Sequence, residues 1–509
     1  MNIITQNLIE SKPAMDCITL FCNRFVTSGV LSRCAIKKLA DIEEQSKPLE
    51  YVIPDGFDVG HDKLTAGKQD GITAIDSEKK KNPLCVAARK LFLDYMFVFL
   101  LNFSIFRLFK SGMYFGDYKK DTLYRLLQIK GAKWERLELL VAASVIADVE
   151  KDTTDNHVNV LIFDDSLYRR AGNGCGTQLC GKVYDHNDRK LRIGYRMMTG
   201  AWSNGELTIP FSQTLLTSNN PKFQVGIFDL PDGRTVEGKR ARRALVKGTD
   251  TVIRMVEKAQ SVDIPFDYIL FDTWFSKPVQ LIELKSIGVD VIAMVSKSKT
   301  RFNVYDPKTD AIAPLDVKEI FNRYKKRPGK SRYLLSVTGT VTKDGNTIDV
   351  KLVFARNRNN RKEWVCFVCT KKDLDEQSIL SIYTTRWNIE VYFKTIKSHI
   401  RLTSECHSTK YDALTAHMVI VAIRYMALAL DAYRHTDPRT ITDLFEMAKR
   451  EVINQMINSA LTVIIDCLFE VVREMFHPTK EQMEKMYILF YEKLPTYWKN
   501  RFNDPAMAA

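Results

Sequence analysis

Two short segments constrain what this chain can fold into more than any others. Val158 to Ser166 reads VNVLIFDDS, and Tyr268 to Ser276 reads YILFDTWFS. Each is an apolar run, rich in β-branched or aromatic residues, that ends in aspartate. Runs of this length and composition read as buried strands. A carboxylate at the end of a buried strand is costly unless it is paired or holds a cation. A chain with two such strands must bring compensating charge to both, at Asp164 or Asp165 in the first and at Asp272 in the second.

A third segment supplies candidates. Residues 383 to 397 read YTTRWNIEVYFKTIK, placing Tyr383, Arg386, Glu390 and Lys397 in a Y-x2-R-x3-E-x6-K spacing. At about 100° per residue these positions fall within roughly 60° of one another on a helix, so the spacing predicts a single stripe. The stripe can hold a metal through its acid and a phosphate backbone through its bases. The same residues also fit a solvated charge ladder, since Arg386, Glu390 and Lys394 pair at i,i+4. Asp164, Asp272 and Glu390 together make a carboxylate trio of the kind that holds divalent metal. Mg²⁺ takes few carboxylates, retained waters and substrate phosphates. Two metals about 3.5–4 Å apart can clamp the attacking and leaving oxygens of a phosphoryl displacement.

With these residues in place, the chain resembles a bacterial insertion-sequence transposase of the DDE class, in the IS-four family that bears the Y-R-E-K signature. The matching residues are Asp164 within FDDS, Asp272 within FDTWFS, and Tyr383, Arg386, Glu390 and Lys397. The likeness covers about residues 158 to 430. It implies an α/β fold with a ribonuclease-H-like mixed-sheet core, carrying a β-rich insertion between the second Asp and the Glu. Neighbouring strand residues face opposite ways. The family's D-x-[ST] pattern selects Asp164 over Asp165, with Ser166 as its third member.

Composition agrees with a polyanion partner. The chain has 509 residues and a net charge of +14, enough length for several domains and a basic surface suited to nucleic acid. Charge alone fits any basic cytosolic protein equally well. The cysteines form no paired zinc-ribbon pattern. Cys366 and Cys369 form a C-x2-C, but inside the strand-like run WVCFVCT, and free buried thiols are expected. The apolar stretch Leu91 to Phe109 is interrupted by Asp94, Asn102 and Arg107, so it reads as a buried helix and no membrane partner is expected. The N-terminus carries no recognisable targeting segment. His407 and His417 are isolated and read as structural.

The chain divides by pattern. Residues 1–150 read as a helical N-terminal region with a polar, glycine-broken linker at about 46–82. Its basic-apolar segment GDYKKDTLYRLLQIKGAKWERLELLVAASVI fits either DNA-end binding or an ordinary amphipathic bundle, and the resemblance favours DNA ends. Residues 151–298 read as the first part of the core, including a hairpin at Ser203-Asn204-Gly205 and a long basic helix at about 235–260. Residues 299–371 read as the β-rich insertion. Its basic loops at 323–332 and 356–362 suit phosphate contact, with Lys325, Lys326 and Arg327 as DNA-binding candidates. Trp364, on an alternating strand, is placed in the core. Residues 372–435 return to the core with the signature helix and an apolar helix at about 408–435. Residues 436–509 form a helical C-terminal region suited to capping the core or to dimerisation.

The expected function is DNA transposition by divalent-metal phosphoryl transfer. Asp164, Asp272 and Glu390 are the catalytic and metal-binding acids. Mg²⁺ is the expected cofactor, with Mn²⁺ as a substitute. Arg386 and Lys397 are expected to grip phosphates, and Tyr383 to touch the same backbone. The resemblance implies cut-and-paste chemistry, a possible DNA hairpin, and a homodimer on double-stranded DNA that holds terminal inverted repeats and target DNA. It also implies a bacterial cytoplasmic, nucleoid-associated protein. The alternatives are a metal-dependent nuclease that does not join strands and a DNA-binding derivative without catalysis. Intact acids at all three positions argue against the second.

Overall fold

A computed structural model describes residues 13–36, 83–101, 104–110, 120–152, 157–185, 188–328, 331–357, 360, 363–434 and 441–496. The expected linker at 46–82, Lys330 and most of the 356–362 loop lie outside the described residues. The N-terminal region contributes helices α1 (Pro13–Phe25), α2 (Ser28–Arg33), α3 (Pro83–Phe97), α4 (Ile105–Lys110), α5 (Lys120–Leu126) and α6 (Trp134–Asp152). The expected single helix over Leu91–Phe109 is broken. α3 gives way to a 3₁₀ turn at Val98–Leu101 before α4 begins.

The centre is an α/β unit built on one mixed sheet. Its strands are β1 (Val160–Arg169), β2 (Gly181–Asp185), β3 (Lys190–Ser203), β4 (Thr208–Leu216), β5 (Tyr268–Phe271), β6 (Asp290–Val295), β7 (Arg301–Asp306), β8 (Ala311–Asp316), β9 (Tyr333–Lys343), β10 (Asn346–Arg356) and β11 (Trp364–Cys369). The order is β2-β3-β1-β5-β6-β11-β10-β9-β7-β8, with β4 also paired to β3. β1, β5 and β6 are mutually parallel; β3 runs antiparallel to β1. This is the mixed sheet expected of a ribonuclease-H-like core.

Local chemistry explains the framework. β1 and β5 are apolar throughout their paired length because both faces are covered. The β3–β4 hairpin turns at Asn204-Gly205, where Gly205 holds φ +99, a conformation that favours glycine. At Gly200 a side chain would collide with the rings of Phe163 and Phe211, 2.7 and 2.8 Å from a Cβ. The sheet bulges there, between Gly200 and Ala201.

The expected long basic helix at 235–260 is two helices, α7 (Val236–Arg243) and α8 (Gly248–Gln260). α7 opens on Thr235, whose hydroxyl caps the Gly238 N–H at 3.0 Å. Arg240 leaves the surface altogether. It is buried, and donates to Glu135 at 3.2 Å and to the Ala132 carbonyl at 2.6 Å. Part of the basic cluster therefore ties α7 to α6, where a buried Arg needs such partners.

Helix α9 (Pro278–Ser286) crosses from β5 to the parallel β6. Residues 299–371 hold β7 to β11 and helix α10 (Val317–Arg323), which starts in a capping box of Asp316 and Glu319. These strands do not make a separate sheet, because β11 pairs antiparallel with β6 and continues the core. Trp364 stacks on Phe321 at 4.5 Å between centroids. Cys366 and Cys369 are buried on β11 as free thiols, and at i,i+3 they face opposite sides of the strand.

Helices α11 (Glu376–Thr384) and α12 (Trp387–Ser398) carry the signature. α13 (Tyr411–Arg434) packs on α6 and β4, and α14 (Ile441–Phe476) and α15 (Lys480–Lys493) follow. α13 is long and apolar enough to cross a membrane by length and composition, but the whole of its most apolar window is buried inside the fold.

Candidate active site

The parallel register of β1 and β5 sets the two aspartates side by side. Phe163 lies opposite Phe271, so Asp164 and Asp272 follow at the same level. Each binds its own chain in the same way. Asp164 Oδ1 accepts the Asp165 N–H at 2.8 Å, and Asp272 Oδ1 accepts the Thr273 N–H at 2.6 Å. The second oxygen of Asp164 is taken by Arg386.

The adjacent acids of β1 separate as strand alternation requires. Asp164 meets Arg386 and lies near Asp272. Asp165 turns away and accepts two bonds from Arg196 on β3, from Nε to Oδ2 and from Nη2 to Oδ1, both at 2.7 Å. Sequence reasoning missed Arg196. The register that puts it beside Leu167 of β1 is tertiary information.

The signature does not lie on one uninterrupted helix. Tyr383 lies in the last turn of α11, while Glu390 and Lys397 lie on α12. The junction is a tightened turn of i→i+3 bonds: Arg386 N to Tyr383 O at 3.1 Å, Asn388 N to Thr385 O at 3.0 Å, and Ile389 N to Arg386 O at 3.3 Å. Two adjacent β-branched residues, Thr384 and Thr385, favour the departure, and the Thr384 hydroxyl bonds back to the Ser381 carbonyl at 2.6 Å. Short 3₁₀ stretches inside helices often mark functional positions.

Two of the four signature residues, Arg386 and Lys397, still meet β1, and Arg386 brings Glu390 with it. Arg386 donates from Nη1 to Asp164 Oδ2 at 3.0 Å and from Nη2 to Glu390 Oε1 at 2.6 Å. Lys397 donates from Nζ to the Ser166 hydroxyl at 2.5 Å. Asp164 and Ser166 share one face of the strand, so the helix reads that face at two points. Tyr383 is buried instead, with its ring 4.7 Å from Phe367 and the Arg386 guanidinium 5.9 Å from its centroid.

Electrostatics follow from this packing. Burial raises the Asp164 carboxyl to about 7, with Arg386 opposing and Asp165 and Asp272 adding to the rise. Burial works against the charge on Arg386, yet Tyr383, Asp164, Asp272 and Glu390 push its pKa up. Burial lowers the Lys397 ammonium, partly offset by Asp185 and Asp165.

The donor chemistry fits a hard divalent cation. It offers carboxylate oxygens only, one of them desolvated and short of compensating charge. Among the described residues no three acidic, His or Cys groups already gather closely enough to enclose one ion. The Arg386 guanidinium spans the gap between Asp164 and Glu390.

The candidate loop in the insertion is partly organised. Lys325 is exposed. Lys326 Nζ lies 4.6 Å from the Phe321 centroid and the Arg327 guanidinium 4.3 Å from that of Tyr333. Arg323 is not free for a ligand, because it pairs with the buried Asp306.

Residues 115–318 match the family model described as DDE superfamily endonuclease, and residues 235–427 match the transposase DDE domain. These matches support a transposase of the DDE superfamily. The first match contains Asp164, both contain Asp272, and the second contains Glu390. No curated protein matches the chain. The transposase domains imply DNA as the substrate.

Proposed function

We propose that this transposase cuts and joins the ends of a mobile element by divalent-metal-dependent phosphoryl transfer, and that it belongs with the Y-R-E-K transposases of the IS-four family. The observation that carries the reading is the side-by-side placement of Asp164 and Asp272 on neighbouring parallel strands, with Glu390 joined to Asp164 through Arg386. Asp164, Asp272 and Glu390 would hold the metal, Mg²⁺ or Mn²⁺. When bound, it lowers the pKa of an attacking water or terminal 3′-hydroxyl and steadies the leaving oxygen. Arg386, in the turn that opens α12, and Lys397, in the last turn of α12, meet one face of β1, where they would orient the scissile phosphate. Tyr383 is proposed to support Arg386 from beneath, since its hydroxyl is buried and does not face the DNA. Lys325, Lys326 and Arg327 would hold flanking duplex through phosphates. A homodimer on two DNA ends, in the bacterial cytoplasm, completes the proposal.

A second reading has its own support in the match described as an endonuclease: cleavage without joining. Both are tested by incubating the protein with Mg²⁺, DNA carrying the element's ends, and a labelled target. Cleaved ends covalently attached to target support transposition. Cleaved ends that never join support the nuclease, and intact DNA contradicts both.

A further inference from the structure

Helices α6, α7 and α8 enclose a cleft of about 500 Å³, within the size range of small-ligand sites. None of Asp164, Asp272 and Glu390 lines it. Five cations do, Lys133, Arg136, Lys239, Arg243 and Lys258, against a single carboxylate, Glu135. Helical spacing gathers them. Lys239 and Arg243 stand four apart on α7, and Lys133 and Arg136 stand three apart across the start of α6, so each pair shares a face.

The one carboxylate is already engaged. Glu135 accepts from the buried Arg240 at 3.2 Å and from Arg243 at 2.7 Å. Lys133, Arg136, Lys239 and Lys258 form no ion pair among the described residues. Lys258 is half-buried, and burial lowers its ammonium, with Glu135 opposing and Arg243 adding to the fall. The Arg243 Nε is buried without a hydrogen-bond partner. Like charges held this close repel one another, and a partly buried cation without a counter-ion is costly. The walls between the cations are apolar, formed by Leu139, Leu140, Val236 and Val262.

We propose that this cleft binds a small molecule carrying two or more linked phosphates, with the phosphates on Arg136, Lys239 and Lys258. Such a ligand concentrates several negative charges in a volume the cleft can hold, and it supplies the acceptors that these donors lack. A nucleotide would also lay its apolar body along the leucine and valine walls; inorganic pyrophosphate would use the cations alone. A DNA duplex is too wide to enter and could offer only one edge of its backbone. None of the catalytic acids takes part, so the inference does not rest on the transposase reading.

The test is calorimetric titration of the full-length protein, in metal-free buffer, with ADP, inorganic pyrophosphate and adenosine. ADP and pyrophosphate should bind at one site per chain, and adenosine should not. Tighter ADP assigns the nucleotide as the source, and equal or tighter pyrophosphate assigns the free anion. Arg136→Gln and Lys239→Gln should each weaken the phosphate ligands by roughly 10-fold, the value of one charge-assisted bond. Both side chains are exposed, so thermal midpoints and strand cleavage should stay unchanged. Lys258→Gln should weaken binding likewise and leave the fold intact, because glutamine carries no charge to desolvate. No binding of either phosphate ligand, adenosine binding as tightly as ADP, or full affinity in all three variants would overturn the site. So would a blunt duplex that displaces ADP and loses affinity equally in these variants, since the cleft would then belong to the DNA path.

Discussion

Arg386 donates to Asp164 at 3.0 Å across a separation of 222 residues. The same guanidinium reaches Glu390 one helical turn away. One cation thereby joins an acid of the first core strand to an acid of the signature helix, in the place where a divalent metal would neutralise both. On the proposed metal-dependent mechanism, Arg386 would compete with the ion for those oxygens.

Removing that competitor should have opposite effects on metal and on chemistry. Arg386→Ala should bind Mn²⁺ several-fold more tightly in the absence of DNA, followed by electron paramagnetic resonance. It should also cleave DNA more slowly, because the phosphate grip is lost. The lost charge-assisted bonds should cost on the order of 2 kcal/mol of stability, read from denaturant midpoints. Unchanged Mn²⁺ affinity would mean that Arg386 and the metal do not share ligands.

The paired acids of β1 should separate in function. Asp164→Asn removes the carboxylate beside Asp272 and should abolish strand cleavage. Asp165→Asn breaks a partly exposed pair with Arg196 and should retain most cleavage, with a stability loss of about 1 kcal/mol or less. A dead Asp165→Asn beside an active Asp164→Asn would reverse the assignment.

A buried acid outside the site predicts a pH effect on folding. Glu138 is buried and accepts from Gln213 at 2.7 Å. Burial raises its carboxyl from 4.5 to about 7. Because the folded value exceeds the unfolded one, the folded state holds the proton longer. The penalty is absent below about 4.5, grows as pH rises, and is complete above about 7, where it is on the order of 3 kcal/mol. Glu138→Gln should therefore stabilise the protein at pH 8 and be nearly neutral at pH 4.5. Thermal midpoints across that range check it; a parallel shift at all pH values would contradict it. Glu135, on the same helix, goes the other way. Despite its burial, Arg240 and Arg243 hold it near 2.

How much of this was legible in the sequence follows from what each feature depends on. The strands holding Asp164 and Asp272 were readable because burial on both faces demands unbroken apolar runs. Strand alternation was enough to separate Asp164 from Asp165, while the preference for Asp164 came from the D-x-[ST] pattern of the family it resembles. The breaks between α7 and α8, and between α11 and α12, were not readable, since both segments keep helical composition through them. Nor was the pairing of β11 with β6, which joins the β-rich residues 299–371 to the core sheet. Arg196 gave no signal, because it stands at no telling spacing; it meets Asp165 only through the register of β3 on β1.

Basic residues of the insertion should contribute through phosphates alone. Neutralising Lys325, Lys326 and Arg327 together should weaken specific and non-specific DNA alike. The slope of log affinity against log salt should become shallower by roughly 2 to 3 units, about one counterion per contact. Cleavage at saturating protein should persist. An unchanged salt slope would mean that these side chains, two of them laid over Phe321 and Tyr333, serve the fold and not the DNA.

The central claim is that Glu390 completes a metal site with Asp164 and Asp272. The most direct measurement is strand cleavage by Glu390→Gln in Mg²⁺, alongside its DNA binding in metal-free buffer. Glutamine keeps the size of the side chain and its helix propensity, and can still accept from Arg386. Cleavage falling by orders of magnitude, with metal-free DNA binding preserved, is the expected result. Cleavage at the wild-type rate would contradict the account.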